Sequence, residues 1–304
     1  MSSFLLLTSP PASGKTFFLK NYFEKLDEKA LVVSPLRALA DEMKSNWADR
    51  VDVMTPEEYL SKPKAYKYVV FDEIHLWFYW GDSFRHQMWE AFYELAIHAE
   101  FLIGLTATIT EEMKKEFTSF STCFDQINWI DYGNQKLKFL PASYLKVHPN
   151  FMEKIYTNTR AKDGVRLIFC QYRQEVEAVS LKLMEQGHDV WSCVGGEARA
   201  FSQKVQNNPP PEVIVATTVL SHGVNLPRIS EVFLTYPVNN IDFWIQMVAR
   251  GGRRGDSFKV YSVENPHNLN WNFFSNFLAI QVLSLRIRLH ITFHQIEEWF
   301  LKAS

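Results

Sequence analysis

Cysteine is scarce in this sequence. Three cysteines, Cys123, Cys170 and Cys193, stand among 304 residues. They are odd in number and far apart, which excludes a disulfide framework and a cysteine metal site and points to a reducing, cytoplasmic compartment. A dominant charge is missing as well. There are 32 Lys plus Arg against 34 Asp plus Glu, for a net charge of −2. No broad field attracts a polyanion, so any basic surface has to be local. No apolar run is read as membrane-spanning, because the C-terminal stretch is interrupted by Arg286, Arg288 and His290. The opening MSSFLLLTSPP has no basic segment, and its apolar run is too short for a secretory signal. What the chain does have is hydrophobic mass: 47% of residues are hydrophobic and 15% aromatic. That is enough to bury a sizeable core in one large domain or two ordinary ones.

The hydrophobic mass is organised. FLLLTS (residues 4–9), ALVVSP (30–35), YKYVVFDE (66–73) and FLIGLTAT (101–108) are short apolar runs separated by helical patterns such as TFFLKNYFEKL. They read as buried parallel strands joined by right-handed βαβ crossovers. The theme restarts with GVRLIFCQ, HDVWSCV, PEVIVATT, EVFLTYP and FKVYSV, between residues 164 and 263. A polar, irregular stretch near residues 130–150 lies between the two sets. The expected fold class is therefore α/β: two tandem domains, residues 1–135 and 136–265, with a small C-terminal appendage, residues 266–304. No internal sequence repeat accompanies the two implied sheets.

Three stretches carry chemistry. SPPASGKT (residues 9–16) follows a strand and opens a helix, a place where backbone N–H groups and the helix N-terminus face an anion. Gly14 lets the backbone approach a phosphate, Lys15 reaches the β- and γ-phosphates, and the Thr16 hydroxyl suits Mg2+. VVFDEIH (69–75) ends an apolar strand in two adjacent carboxylates, which is costly unless they meet a cation. Asp72 suits Mg2+, and Glu73 suits the orientation of an attacking water. A DE pair capping the following helix would look the same in isolation; behind a phosphate loop the catalytic reading takes precedence. QMVARGGRRGD (246–256) sets three arginines among three glycines, after a helix FWIQMVA whose N-cap is Asn240 or Asp242. It reads as a flexible basic loop that brings Arg250 and Arg253 to a developing γ-phosphate charge.

These residues resemble the core of a superfamily 2 helicase, in particular the DExH branch that includes the Ski-type enzymes. SPPASGKT is similar to motif I, SPLRALADE (34–42) to motif Ia and MTPEEYL, around Thr55, to motif Ib. DEIH is similar to motif II, TAT (106–108) to motif III and LIFCQYR (167–173) to motif IV. TTVLSHGVNLP (217–227) is similar to motif V and QMVARGGRRG to motif VI, with Ala249 standing where the family usually has glycine. The resemblance covers most of residues 1–263 and implies two RecA-like domains. It implies that Pro11, Ala12, Ser13, Gly14, Lys15 and Thr16 bind ATP, with Gly223 and Asn225 near the nucleotide. Thr16 and Asp72 would hold Mg2+. Glu73, Lys15, Gln246, Arg250 and Arg253 would carry out hydrolysis. Pro35, Leu36, Arg37 and Thr55, with Gln171, Arg173 and Thr217, would touch a single nucleic-acid strand, mainly at its phosphates. His75, Thr106 and Thr108 would couple the two sites.

The expected function is an ATP-dependent helicase or translocase on single-stranded nucleic acid, DNA ahead of RNA. It would be monomeric, off the membrane, and of a size that suits a viral or mobile-element genome. The alternative is an ATP-gated clamp or remodeller that displaces a bound protein or recruits a protein partner. Two departures from the family favour that alternative or bear on nucleotide choice. Only eight residues precede motif I, so no upstream adenine-recognition motif is expected. The segment RISEVFLTYPVNNIDFWI is short for a strand-splitting hairpin. HLWFYWGD (75–82) reads either as core or as a base-stacking platform. LSLRIRLHITFH (283–294) reads as a half-buried strand or helix with a basic face, and QIEEWFLKA as a final helix.

Overall fold

The computed structural model describes residues 2–47, 49–120, 123–158 and 163–263. The appendage expected at 266–304, with its LSLRIRLHITFH stretch and final helix, lies outside the described residues. The described chain divides into two compact units, one ending at Lys136 and the other starting at Leu137.

The first unit contains β1 (Ser3–Thr8), α1 (Lys15–Phe23), β2 (Ala30–Val33), α2 (Arg37–Asn46), β3 (Val51–Met54), α3 (Pro56–Ser61), β4 (Tyr68–Phe71), α4 (His75–Gly81), α5 (Gln87–His98), β5 (Phe101–Thr106), α6 (Glu111–Ser119) and β6 (Gln126–Asp131). Its six strands are parallel, in the order β3-β2-β4-β5-β1-β6. Alternate residues of a strand point to opposite faces. Leu5, Leu7, Val32, Val70 and Ile103 pack with Phe18, Leu19 and Phe23 of α1. On β1 the intervening Phe4 stacks on Phe117 of α6, with 5.3 Å between ring centres. Both faces of the sheet are thus covered, which is why its central strands are apolar without alternation.

The second unit contains β7 (Ser143–Lys146), α7 (Pro149–Asn158), β8 (Val165–Phe169), α8 (Arg173–Glu185), β9 (Val190–Cys193), α9 (Ala198–Asn207), β10 (Val213–Ala216), β11 (Ile229–Leu234), α10 (Ile241–Val248) and β12 (Lys259–Ser262). It too is a six-stranded parallel sheet, in the order β7-β12-β11-β8-β10-β9. One face carries Leu167, Ile214 and Val232 against Trp244 and Ile245 of α10. The other carries Ile168, Val215 and Phe233 against Met152 of α7 and Val176 of α8.

Three strands are absent from the sequence reading: β3, β6 and β7. Each lies at a sheet edge. An edge strand needs apolar residues on fewer sides, so QINWID and SYLK have no buried run to betray them. β7 also occupies the stretch that the sequence presents as irregular. Within HLWFYWGD, His75, Leu76, Trp77 and Phe78 are buried. Trp77 meets Phe71 edge-on at 5.0 Å, and Phe78 meets Phe117 at 4.8 Å. Trp77 and Phe78 are therefore core, whereas Tyr79 and Trp80 are half-buried. Among the described residues, no helix is long and apolar enough to cross a membrane.

Of the two N-cap candidates for α10, Asn240 is the cap. Its side-chain oxygen accepts from the backbone N–H groups of Asp242 at 2.8 Å and Phe243 at 3.3 Å. Asn240→Ala is expected to cost about 1 kcal/mol in denaturant unfolding, and Asn240→Asp almost nothing.

Candidate nucleotide-binding site

In the first unit β5 lies between β4 and β1. The loops leaving the carboxyl ends of these neighbours are the DEIH, TAT and SPPASGKT segments. In open parallel sheets this edge is where ligands bind.

The phosphate loop runs from β1 into α1. Gly14 is the N-cap of α1 with φ 94°. Nothing lies within 4 Å of where its Cβ would be, so backbone conformation, and not crowding, demands glycine there. Ala12 is also left-handed, at φ 58°. The Ser9 and Ser13 hydroxyls are 2.6 Å apart. The Lys15 ammonium donates to the carbonyls of Ser9 at 2.8 Å and Pro10 at 3.2 Å. A phosphate arriving at the loop would compete for that ammonium and for the N–H groups of the first helical turn. Pro11 and Ser13 are buried, Thr16 is half-buried, and Ala12 and Gly14 are exposed.

DEIH is held across the sheet. The Asp72 N–H donates to Val33 O at 3.0 Å and the Ile74 N–H to Leu105 O at 2.9 Å. Between them Glu73 takes φ 45°, a conformation uncommon outside glycine and a mark of strain at functional sites. Asp72 is 5% exposed. Burial, then the neighbouring Glu73 charge, pushes its carboxyl up from 3.8 to about 7, and Lys15 partly offsets the rise. The phosphate loop and the acidic pair therefore sense each other's charge.

His75 is fully buried, and burial with the nearby Lys15 takes its pKa down to about 3. It is neutral at physiological pH, so its 3.5 Å approach to Glu73 is not an ion pair. The surrounding hydrogen bonds settle its tautomer. The Thr106 hydroxyl donates to Thr108 O at 2.7 Å and accepts from Thr108 N at 3.1 Å. Its one proton is thereby used, and the His75 Nδ1–H donates to it at 2.9 Å. The three residues expected to couple the sites thus form a bonded cluster beside Glu73, joined by the backbone of Thr108. The Thr108 side-chain oxygen is buried with no hydrogen-bond partner among the described residues, a costly state for a polar atom.

The segments expected to touch nucleic acid follow β2 and β3, on one flank of the same sheet. Arg37 is exposed and Leu36 half-buried, whereas Pro35 is buried. Thr55 is 2% exposed and its hydroxyl caps α3, accepting from Glu58 N at 3.3 Å while Glu58 accepts from Thr55 N at 3.0 Å. That hydroxyl holds the local fold.

In the second unit, motifs IV, V and VI leave β8, β10 and α10. Gln171 and Arg173 are exposed, and Arg173 donates to Gly195 O at 2.9 Å. Thr217 is half-buried, and Asn225 is exposed beside Gly223, whose φ is 72°. Arg250 is 2% exposed. It donates from Nε to Ser221 O at 3.0 Å and from Nη1 to Val224 O at 2.6 Å, clasping motif V. Arg253 is half-buried, so the two arginines stand in different settings. Gln246 is buried, and its Nε2 has no hydrogen-bond partner among the described residues.

Two of the three glycines here lie against one aromatic ring. A Cβ on Gly251 would lie 2.1 Å from the Phe258 ring and one on Gly252 2.5 Å from it. Phe258 is itself 1% exposed. The glycines let this ring pack onto the backbone and pin the arginine turn. The sequence offered no sign of Phe258's part, because the ring comes from the far end of the turn, just before β12. It likewise offered no sign of Arg85, which forks onto Glu57 at 2.7 and 2.9 Å and lies in no motif.

Residues 148–255 match the family model of the helicase conserved C-terminal domain. Over 110 residues the chain is 28% identical to the DEAD-box ATP-dependent RNA helicase CshB of Staphylococcus aureus (strain NCTC 8325 / PS 47), covering 34% of this chain and 25% of CshB. The chain thus spans about a quarter of that relative. Among solved structures, Dbp5 of S. cerevisiae bound to RNA and ADP BeF3 aligns with TM-score 0.69 at 15% identity, covering 92% of this chain and 84% of Dbp5. The helicase Lhr of Mycobacterium smegmatis bound to ssDNA and AMP-PNP aligns with TM-score 0.60 at 17% identity, covering 87% and 44%. These likenesses support a superfamily 2 helicase core. The two sheets have the fold of tandem RecA-like domains. The finer placement in the Ski-type branch rests on DEIH and GVNLP alone, since CshB is a DEAD-box protein.

Two outcomes follow from this geometry. Between pH 3.8 and about 7 the folded protein keeps a proton on Asp72 that the unfolded chain has released. This contribution to stability is therefore whole below about 4 and is lost as pH rises through about 7. In metal-free thermal unfolding, Asp72→Asn is expected to be more stable than the parent at pH 8, by on the order of a few kcal/mol, and the difference should vanish towards pH 4. Separately, Gly251→Ala should lower stability by about 1–3 kcal/mol in denaturant unfolding, since Phe258 has to move.

Proposed function

We propose that the chain is a nucleic-acid-dependent ATPase core that moves on a single strand and opens short duplexes. Its working parts would be a first domain, residues 1–135, and a second, 136–265. The observation that carries the reading is the sheet order of the first unit. It sets the Lys15 loop, the Asp72–Glu73–His75 turn and the Thr106–Thr108 loop at the ends of adjacent strands, with Lys15 and Asp72 in electrostatic reach.

The nucleotide would be ATP, gripped by residues 11–16. The Thr16 hydroxyl and the Asp72 carboxylate are hard oxygen donors, and a buried carboxylate held near neutral pH gains from a cation, so the site fits Mg2+. When bound, that ion would neutralise charge on the β- and γ-phosphates. Glu73 would take a proton from the attacking water. Lys15 would bind the β- and γ-phosphates. Gln246, Arg250 and Arg253, with Gly223 and Asn225 near the nucleotide, would complete the machinery, an arginine at the γ-phosphate raising the rate about 10³–10⁵-fold. The His75–Thr106–Thr108 cluster would pass the state of Glu73 to β5. Leu36 and Arg37, with Gln171, Arg173 and Thr217, would hold the strand by its backbone phosphates, and the buried Pro35 and Thr55 would shape the loops that reach it.

Such contacts serve RNA and DNA alike. Dbp5 is bound to RNA and Lhr to ssDNA, so the relatives give no ground for preferring DNA.

One observation favours the clamp or remodeller as a second reading. β11 ends at Leu234 and α10 begins at Ile241, and residues 235–240 hold no hairpin that could split a duplex. The test is ATP hydrolysis with and without single-stranded RNA and DNA, with Glu73→Gln as control. Strand-stimulated hydrolysis, lowered at least about 100-fold in the variant, is the expected result. Equal hydrolysis with and without strand would overturn the motor, and stimulation without duplex opening would select the remodeller.

A further inference from the structure

Arg85 lies outside every motif, in the turn after α4. That helix starts at His75, so it grows directly out of the acidic turn. The turn that ends it is tightly built. The N–H groups of Ser83, Phe84 and Arg85 all donate to Trp80 O, at 3.2, 3.0 and 2.9 Å. The His86 ring donates to Gly81 O at 2.9 Å, and the Trp89 ring donates to Asp82 at 2.7 Å. Arg85 is thus carried rigidly on α4, a helix of seven residues and so about 10 Å long.

Its guanidinium joins two other loops. Nε and Nη2 donate to the two carboxylate oxygens of Glu57, in the first turn of α3, at 2.7 and 2.9 Å. Nη1 donates to the carbonyl of Pro35, between β2 and α2. Three donors of one planar group therefore tie together the segment after β2, the segment after β3 and the end of the helix that begins at His75. Lysine cannot make this fork. The side chains are 20% and 41% exposed, and an ion pair so exposed does little for stability. What the bidentate geometry supplies is direction.

We propose that Arg85 is a positioning residue that fixes the two strand-binding loops to α4, so that a change at Asp72–His75 moves those loops as one body. This rests on the reading, made above, that the segments after β2 and β3 hold the nucleic-acid strand. In this role Arg85 acts through Pro35 and Glu57.

The experiment uses the full chain and compares the parent with Arg85→Ala, Arg85→Lys and Glu57→Gln. Three quantities are measured: hydrolysis without strand, the concentration of single-stranded RNA or DNA giving half-maximal stimulation, and the thermal midpoint. Hydrolysis without strand is expected to stay within about twofold of the parent, whereas the half-stimulating concentration rises about tenfold in Arg85→Ala. Arg85→Lys should fall on the same side, because it keeps the charge and loses the fork, and Glu57→Gln should show a smaller rise. If Arg85→Ala does not fold, Arg85→Lys and Glu57→Gln decide on the same criteria. A lowered midpoint with an unchanged half-stimulating concentration would overturn the proposal and leave Arg85 a simple brace. A parent that binds no strand in fluorescence anisotropy would overturn the strand-binding reading itself, and Arg85's role with it. The two failures are told apart because one shows in the variants alone and the other in the parent.

Discussion

Two adjacent carboxylates, Asp72 buried and Glu73 half-buried, stand at the end of β4, and much of the first unit's site follows from accommodating them. An apolar strand carries Asp72 to the interior, where its charged form is disfavoured by burial and by Glu73. Lys15 supplies part of the balancing charge from the neighbouring loop. Glu73 takes a left-handed backbone between two sheet hydrogen bonds. His75 stays neutral, and its proton is directed at Thr106. A cation placed there would favour the charged form of Asp72, which agrees with the nucleotide-binding role proposed above.

Sheet order then divides the labour. In the first unit the order β3-β2-β4-β5-β1 collects the residues proposed for the nucleotide at the ends of three adjacent strands and leaves the segments after β2 and β3 on the flank. Arg85 spans that division, since its turn descends from DEIH and its guanidinium ends on the flank. In the second unit the arginine turn is shaped by Phe258 packing on Gly251 and Gly252. Arg250 is spent on the carbonyls of motif V, so motifs V and VI form one bonded structure.

Much of this was legible in the residues. Nine of the twelve strands announce themselves as apolar runs, because a parallel strand covered on both faces can hold little else. Gly14, the lysine after it and the DE pair behind an apolar strand point to the proposed nucleotide site by chemistry alone. The edge strands β3, β6 and β7 were hidden because an edge does not need an apolar sequence. The HLWFYWGD aromatics allowed two readings until Phe71 and Phe117 were seen against them. The preference for DNA had no residue behind it.

By itself, the sequence determined the fold class, the two-sheet organisation and the list of chemically suited residues, because these depend on local pattern and residue type. The tertiary structure alone decided how those residues stand: His75's tautomer, the caps at Thr55 and Asn240, Phe258 over the arginine turn, and the Arg85 fork from α4 to Glu57 and Pro35. The physical reason is the same in each case. A strand's burial is written in its own residues. A tautomer, a close contact on glycine or a bidentate ion pair exists only when residues far apart in the chain are brought within a few ångströms of one another.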